Sequence, residues 1–167
     1  MPEHLIPRAK AIQLMRKAHY TARLFSKDPR KKVACIFVSP KSFATLAESW
    51  NGFVRGWSGD TPETWASREA TLRAPVRHAE RNAIDFSARH GVALEGAICI
   101  STFMPCRECC ASLAQVGVSA IITMRPNLAV TKWAESIRDS LSIIEDLNIP
   151  LMMLEPEEVV ELPALVE

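Results

Sequence analysis

Apolar residues recur along the chain in two rhythms, and the switching between them predicts the architecture. In PRAKAIQLMRKAHYTARLFS, Ile12, Met15, Tyr20 and Leu24 fall at helical spacing, which predicts a helix over 7–26 that DPRK breaks. KKVACIFVSP is instead a short, continuously apolar, β-rich run stopped by Pro40, and FATLAESWNG reads as its hairpin partner, ending at Asn51-Gly52. The stretch 53–75 then sets two tryptophans among Gly, Pro, Ser and Thr, and connections of that length tend to be functional. A helical pattern returns over 76–89, with Gly91 as its stop, before the strand AICIST. CRECCASLAQVG follows Pro105 as a helix ending at Gly117, and SAIITM is the next strand. Over 131–148, Trp133, Ile137, Leu141 and Ile144 share one helical face, with Thr131 placed to cap it. IPLMMLEP is the last strand, and the acidic EPEEVVELPALVE is expected to be a loosely attached tail.

The order is therefore α-β-β-α-β-α-β-α-β. Later β-α-β units imply parallel neighbours joined by right-handed crossovers, with helices on both faces of the sheet. The predicted fold is α/β: a three-layer α/β/α sandwich on a mixed sheet of about five strands, in one domain over 1–167.

Composition narrows the classes without changing this picture. Hydrophobic residues make up 48% and charged ones 23%, as in an ordinary soluble domain. Twenty basic against 19 acidic residues leave a net charge of +1, which argues against wrapping a polymeric nucleic acid. MPEHLIPRAK carries charges and two prolines where a signal peptide needs an apolar core, and no run approaches a membrane span. Five cysteines without framework-like spacing suit a reducing compartment, so a cytoplasmic protein is expected.

Two polar runs stand out, RHAERNAID and FMPCRECCAS. Cys106 and Cys109 sit at i and i+3 in the first turn of a predicted helix, so both reach one side and can grip one ion. The helix start also favours thiolate over thiol, and Pro105 suits the entry to that helix. His78 opens the preceding helix. A structural zinc site is normally closed by four protein ligands, whereas three leave a position for water. Glu80, two residues beyond His78, is near enough to move a proton for that water. The plainer alternatives are a structural half-site or redox pair for C-x-x-C, and a cap or packing role for His78. The presence of both motifs, each opening a helix with a strand between, favours the catalytic site. Cys35 and Cys99 lie in apolar strands as ordinary buried thiols, and Cys110 points about a quarter-turn away from Cys109.

H-A-E with P-C-x-x-C is the signature of zinc deaminases acting on nucleobases. Over roughly residues 16–124 the chain resembles the cytidine/deoxycytidylate deaminase superfamily, and among its branches the deoxycytidylate (dCMP) deaminases. The likeness rests on SKDPRKKVACIFV, WNGFVRG, VRHAERNAI and FMPCRECCASLAQVGVSAII. Relatives carry G-Y-N-G-x-P-x-G after the second strand; here Asn51, Gly52 and Gly56 are in place, but Val54 stands at the proline position.

The resemblance implies a cytidine deaminase-like fold with zinc held by His78, Cys106 and Cys109. It implies that zinc-activated hydroxide attacks C4 of dCMP while Glu80 carries protons to N3 and to departing ammonia. It also implies that Asn51 bonds the sugar or base and that the backbone at Ala79 meets the base edge. The helix before the last strand, which makes the last two strands parallel, belongs by resemblance to the deoxycytidylate and nucleic-acid-editing branches. A homo-oligomer is expected by the same likeness. A monophosphate needs a cation, and Arg55, Lys27 and Arg77 are the candidates, with 53–75 as a lid. The alternatives are a deaminase of tRNA adenosine or a free nucleoside, or a non-catalytic zinc-stabilised scaffold.

Overall fold

The computed structural model describes residues 4–129, 131 and 133–159. In chain order the elements are α1 (Arg8–Phe25), β1 (Ala34–Val38), β2 (Thr45–Trp50), β3 (Gly52–Phe53), α2 (Pro62–Ala66), α3 (Arg68–Arg73), β4 (Val76–Arg77), α4 (Ala79–His90), β5 (Ile98–Ser101), α5 (Arg107–Gln115), β6 (Ala120–Met124), α6 (Ala134–Asp146) and β7 (Leu151–Leu154), followed by a 3-10 turn, Pro156–Glu158. The main sheet has the order β2-β1-β5-β6-β7. β1 is antiparallel to both β2 and β5, whereas β5, β6 and β7 run parallel, the mixed five-stranded sheet that the pattern predicts.

The central strands are apolar on both faces because both faces are covered. In β1, Cys35 and Phe37 enter one core with Ala83 of α4, Leu113 of α5 and Ile137 of α6. Ile36 and Val38 enter the other, against Ala11, Met15 and Ala18 of α1. The three layers are thus α1, the sheet, and α4 with α5 and α6. No helix among the described residues is long and apolar enough to cross a membrane.

Four departures from the expected pattern have local causes. In α1 the buried stripe is Ala11, Met15, Ala18, Thr21 and Ala22, while Tyr20 and Leu24 are 62% and 56% exposed. Leu24 lies nine residues beyond Met15, about 180° round the helix, and small side chains let the helix approach the sheet closely. The helix predicted from 76 begins at Ala79, because Val76 and Arg77 pair as β4 with β3. α6 starts at Ala134, so Trp133 stays out of the core, and Thr131 accepts a bond from the Trp133 amide (3.2 Å) rather than capping a longer helix.

The fourth departure is 53–75. It contains α2 and α3, each capped by a side chain: Thr61 accepts from the Thr64 amide and Ser67 from the Ala70 amide. Phe53 packs on Trp57 and Trp65, with centroids at 4.8 and 4.0 Å, and Trp65 is buried. Val54 donates its amide to the Pro75 carbonyl (2.9 Å), a bond that a proline at 54 has no hydrogen to make.

The first residues of the tail are fastened rather than loose; 160–167 lie outside the described residues. Arg8 donates to both Glu158 oxygens (2.7 and 2.6 Å), and Val159 is buried beneath. Arg8 holds the Glu158 carboxyl well down, at about 2. A depressed folded pKa stabilises above the unfolded value and loses that contribution as pH falls through the folded one. Glu158→Gln should therefore lower the urea midpoint at neutral pH, and its difference from wild type should shrink as pH falls from about 4.5 toward about 2. An equal difference at both ends would remove the pair from the account.

Candidate metal centre

Sheet register decides where the chemistry collects. Ala34 pairs with Trp50 and Cys35 with Ser101, so the end of β2, the start of β1 and the end of β5 lie at one edge. The segments 26–33, 51–52 and 102–106 meet there, outside the carboxyl ends of the parallel strands, where open α/β sheets place their ligands. Thr102 fastens this edge: its amide donates to the Ala34 carbonyl, and its hydroxyl accepts from the Ala34 amide (both 3.0 Å).

The starts of α4 and α5 converge on the same spot, with His78 and Cys106 as their N-cap residues. His78 Nδ1 lies 3.4 Å from Cys106 Sγ and 3.4 Å from Cys109 Sγ, and the three donor atoms lie within 4.8 Å of one another. A tetrahedral zinc with ordinary zinc–nitrogen and zinc–sulfur bonds needs N···S edges of about 3.6 Å, so this donor set fits that ion. Cys110, also buried, turns its thiol to the Pro105 carbonyl (3.6 Å), and burial pushes it up to about 12. It is no fourth ligand, and no other His, Cys, Asp or Glu among the described residues joins the group.

The sulfurs are held unequally. The Cys109 thiol, the His78 ring and the Cys109 amide all donate toward Cys106 and bring it down to about 3, against the opposing effect of its burial. Sharing that site raises Cys109, with burial adding to the effect. His78 is raised, chiefly by its hydrogen bond with Cys106.

Glu80 is buried beside these donors. Burial pushes its carboxyl up, while a bond from Ser101 Oγ to its Oε1 (3.1 Å) opposes the shift. Ser101 ends β5, and no sequence signal separated it from the alternation of the strand. A cavity of about 710 Å³ opens over the site. Its walls include His78, Ala79, Glu80 and Cys106, with Phe103 and Trp133 as aromatic faces. Leu72, Ala74 and Val76 bring the end of the 53–75 excursion into the same wall.

Asn51 borders this cavity too, with its side-chain amide committed to the protein. Oδ1 accepts from Ser26 Oγ (2.7 Å) and the Val33 amide (2.9 Å); Nδ2 donates to the Lys31 carbonyl (2.9 Å) and to Asp28 Oδ2 (3.3 Å). Asn51→Ala should therefore lower folding stability by about 3 kcal/mol, because buried partners are left unpaired. A residue that met only ligand would leave the urea midpoint of the free protein where it was.

Lys27, Arg55 and Arg77 lie elsewhere. All three line a neighbouring hollow of about 560 Å³ that shares Asn51 with the first. There Lys27 pairs with Asp60 (2.8 Å) and Arg77 with Asp85 (2.5 Å). Arg30 and Lys31, which the sequence presents only as part of a helix-breaking DPRK turn, border the cavity over the three metal donors.

Comparison with known proteins bears on this geometry. The sequence model of the cytidine and deoxycytidylate deaminase zinc-binding region matches residues 8–125, which takes in both helix starts. The chain belongs to this family. A probable deoxycytidylate deaminase of Drosophila melanogaster is 34% identical over 113 residues, covering 62% of this chain and 54% of that protein. The deoxycytidylate deaminase of Enterobacteria phage T4 is 44% identical over 74 residues, 44% of this chain and 37% of that protein. The chain thus spans about half or less of these two relatives. The crystal structure of the cyanophage S-TIM5 dCMP deaminase, in complex with dCMP and dUMP, superposes with a TM-score of 0.72. At 24% identity it covers 89% of this chain and 98% of that one, and the shared fold is the deaminase sandwich. In this family's zinc-binding region, His78, Cys106 and Cys109 are the residues placed to hold the ion.

Proposed function

We propose that the protein is a zinc-dependent hydrolytic deaminase that converts dCMP to dUMP and ammonia. The observation that carries this reading is one buried carboxylate, Glu80, beside three metal donors at the floor of an open cavity. Zinc in that donor set would supply a water acidic enough to act as a nucleophile near neutral pH. His78, Cys106 and Cys109 would hold the ion, and two thiolates with one neutral imidazole would balance its charge. Glu80, oriented by Ser101, takes a proton from the water, delivers one to N3 of the pyrimidine, and later supplies one to the departing amine. Ala79, at the first position of α4, presents backbone to the base edge. Phe103 and Trp133 offer the flat surfaces on which a pyrimidine is held.

The choice of dCMP is supported by the fly and phage relatives and by the nucleotides in the cyanophage complex. The test is ammonia release from the zinc-loaded protein with dCMP, deoxycytidine, cytosine and a tRNA anticodon stem. Turnover of dCMP above the others is expected; an inert dCMP beside an active competitor reassigns the substrate.

A further inference from the structure

A carboxyl that carries protons between a water and a base works fastest when one of its oxygens is held back and the other faces the reaction. We infer that Thr123, near the end of β6, is a positioning residue for Glu80: its hydroxyl donates to Ser101 Oγ and so keeps the Ser101 hydroxyl proton on Glu80 Oε1. The inference rests on the proposed deaminase reading and adds a residue that lies outside both the metal donors and the cavity wall.

Ser101 and Thr123 are partners in the parallel register of β5 and β6. Ile100 and Ile122 enter the α1 core, so the next residue of each strand turns to the opposite face, where α4, α5 and α6 lie. Both side chains are fully buried there, at 0% exposure. Ser101 Oγ gives its one hydrogen to Glu80 Oε1 (3.1 Å), which leaves its oxygen able to accept. Among the described residues Thr123 Oγ1 has no hydrogen-bond partner. Such a hydroxyl costs the fold stability that an apolar side chain of the same shape would not, so its presence calls for a use. Met153, the neighbour of Thr123 on β7, offers only a thioether, and that sulfur already meets Arg125 (3.5 Å). Ser101 is the better acceptor of the two. Neighbouring strands lie about 4.8 Å apart, and threonine beside serine on one face is a pair whose hydroxyls can bond. A turn about the Thr123 Cα–Cβ bond, or one bridging water, closes the gap. With the Ser101 oxygen taken, its hydrogen stays directed at Oε1, and the proton that Glu80 exchanges rides on Oε2.

The test measures kcat and KM for dCMP, and the urea midpoint, on zinc-loaded wild type and variants. Thr123→Val keeps the branched shape and loses only the hydroxyl; it should lower kcat at least about threefold, leave KM unchanged and lower the midpoint. Thr123→Ser, which keeps the hydroxyl, should recover most of the lost rate. Ser101→Ala should lower kcat by at least as much. Adding Thr123→Val to it should cost no further rate, because Thr123 acts through Ser101. In that background the same change should hold or raise the midpoint, since the hydroxyl it removes has lost its acceptor. An unchanged kcat in Thr123→Val, or a rate loss that multiplies in the double variant, overturns the assignment. A midpoint that rises in Thr123→Val alone does so too, and marks the hydroxyl as merely unpaired in the core. If dCMP is inert while the midpoints couple, the dCMP reading fails and the hydroxyl pair stands. If dCMP is turned over while rates and midpoints are independent, the reading stands and this inference fails.

Discussion

Replacing Glu80 with glutamine should abolish ammonia release while leaving the metal in place. Glu80 is not among the three donor atoms that could surround an ion, so the variant should keep about one zinc per chain. Its carboxyl is buried and accepts a bond from Ser101, and a glutamine amide of the same shape can accept that bond through its own oxygen. What disappears is the ability to take up and give back a proton. Positioned proton transfer is worth about 10²–10⁴ in rate, and kcat should fall by that range. Folding stability should hold or rise slightly, because burial penalises the charged form of the Glu80 carboxyl and does not act in that way on a neutral amide. Metal analysis, thermal unfolding and ammonia release on one preparation separate these effects. Activity within tenfold of wild type would take the proton-carrying role away from Glu80. Equal inactivity of wild type and variant would return the site to a zinc-stabilised scaffold.

The parts of this site that were legible in the sequence share a property: their chemistry is local. Cys106 and Cys109 lie on one helical turn, Glu80 lies two residues from His78, and Gly91 stops its helix in the left-handed conformation (φ 68°) that suits glycine. The bulk pattern likewise settles the sheet, because strands covered on both faces must be continuously apolar, as in ACIFV. What escaped is set by partners distant in the chain. A lysine has the same letter whether it faces Asp60 or a metal cavity, so Lys27 and Lys31 became distinguishable only once the register had placed the start of β1 beside the end of β5. β3 and β4 are two residues each, too short to show a period, and exist because the ends of the 53–75 excursion pair with one another. α2 and α3 did carry signals, Thr61 before Pro62 and Ser67 before Glu69, but helices of five and six residues offer no amphipathic stripe to read. In α1 the misleading feature was size: the larger Tyr20 and Leu24 drew the predicted face away from the alanines that pack on the sheet.

Stripping the metal should cost the protein both its activity and part of its stability, and the two losses should reverse together. The three donors come from two segments, with His78 and Cys106 separated by 28 positions and a whole strand, so an ion bound here ties α4 to α5 directly. An ion that binds the folded site and not the unfolded chain stabilises by about 4 kcal/mol when its free concentration is a thousand times Kd. For a chain of this size, that corresponds to about 10 °C in thermal midpoint. Treatment with a strong chelator should produce a fall of this order together with loss of ammonia release, and added zinc should restore both. Cys109→Ala should mimic the chelated protein and resist rescue by zinc. Cys110→Ala is the discriminating neighbour: its thiol faces the Pro105 carbonyl, so the variant should keep its zinc and lose only the packing of one buried sulfur. Loss of zinc from the Cys110 variant would mean that a fourth thiolate closes the site. The open position for water would then be gone, and with it the hydrolytic reading of this cavity.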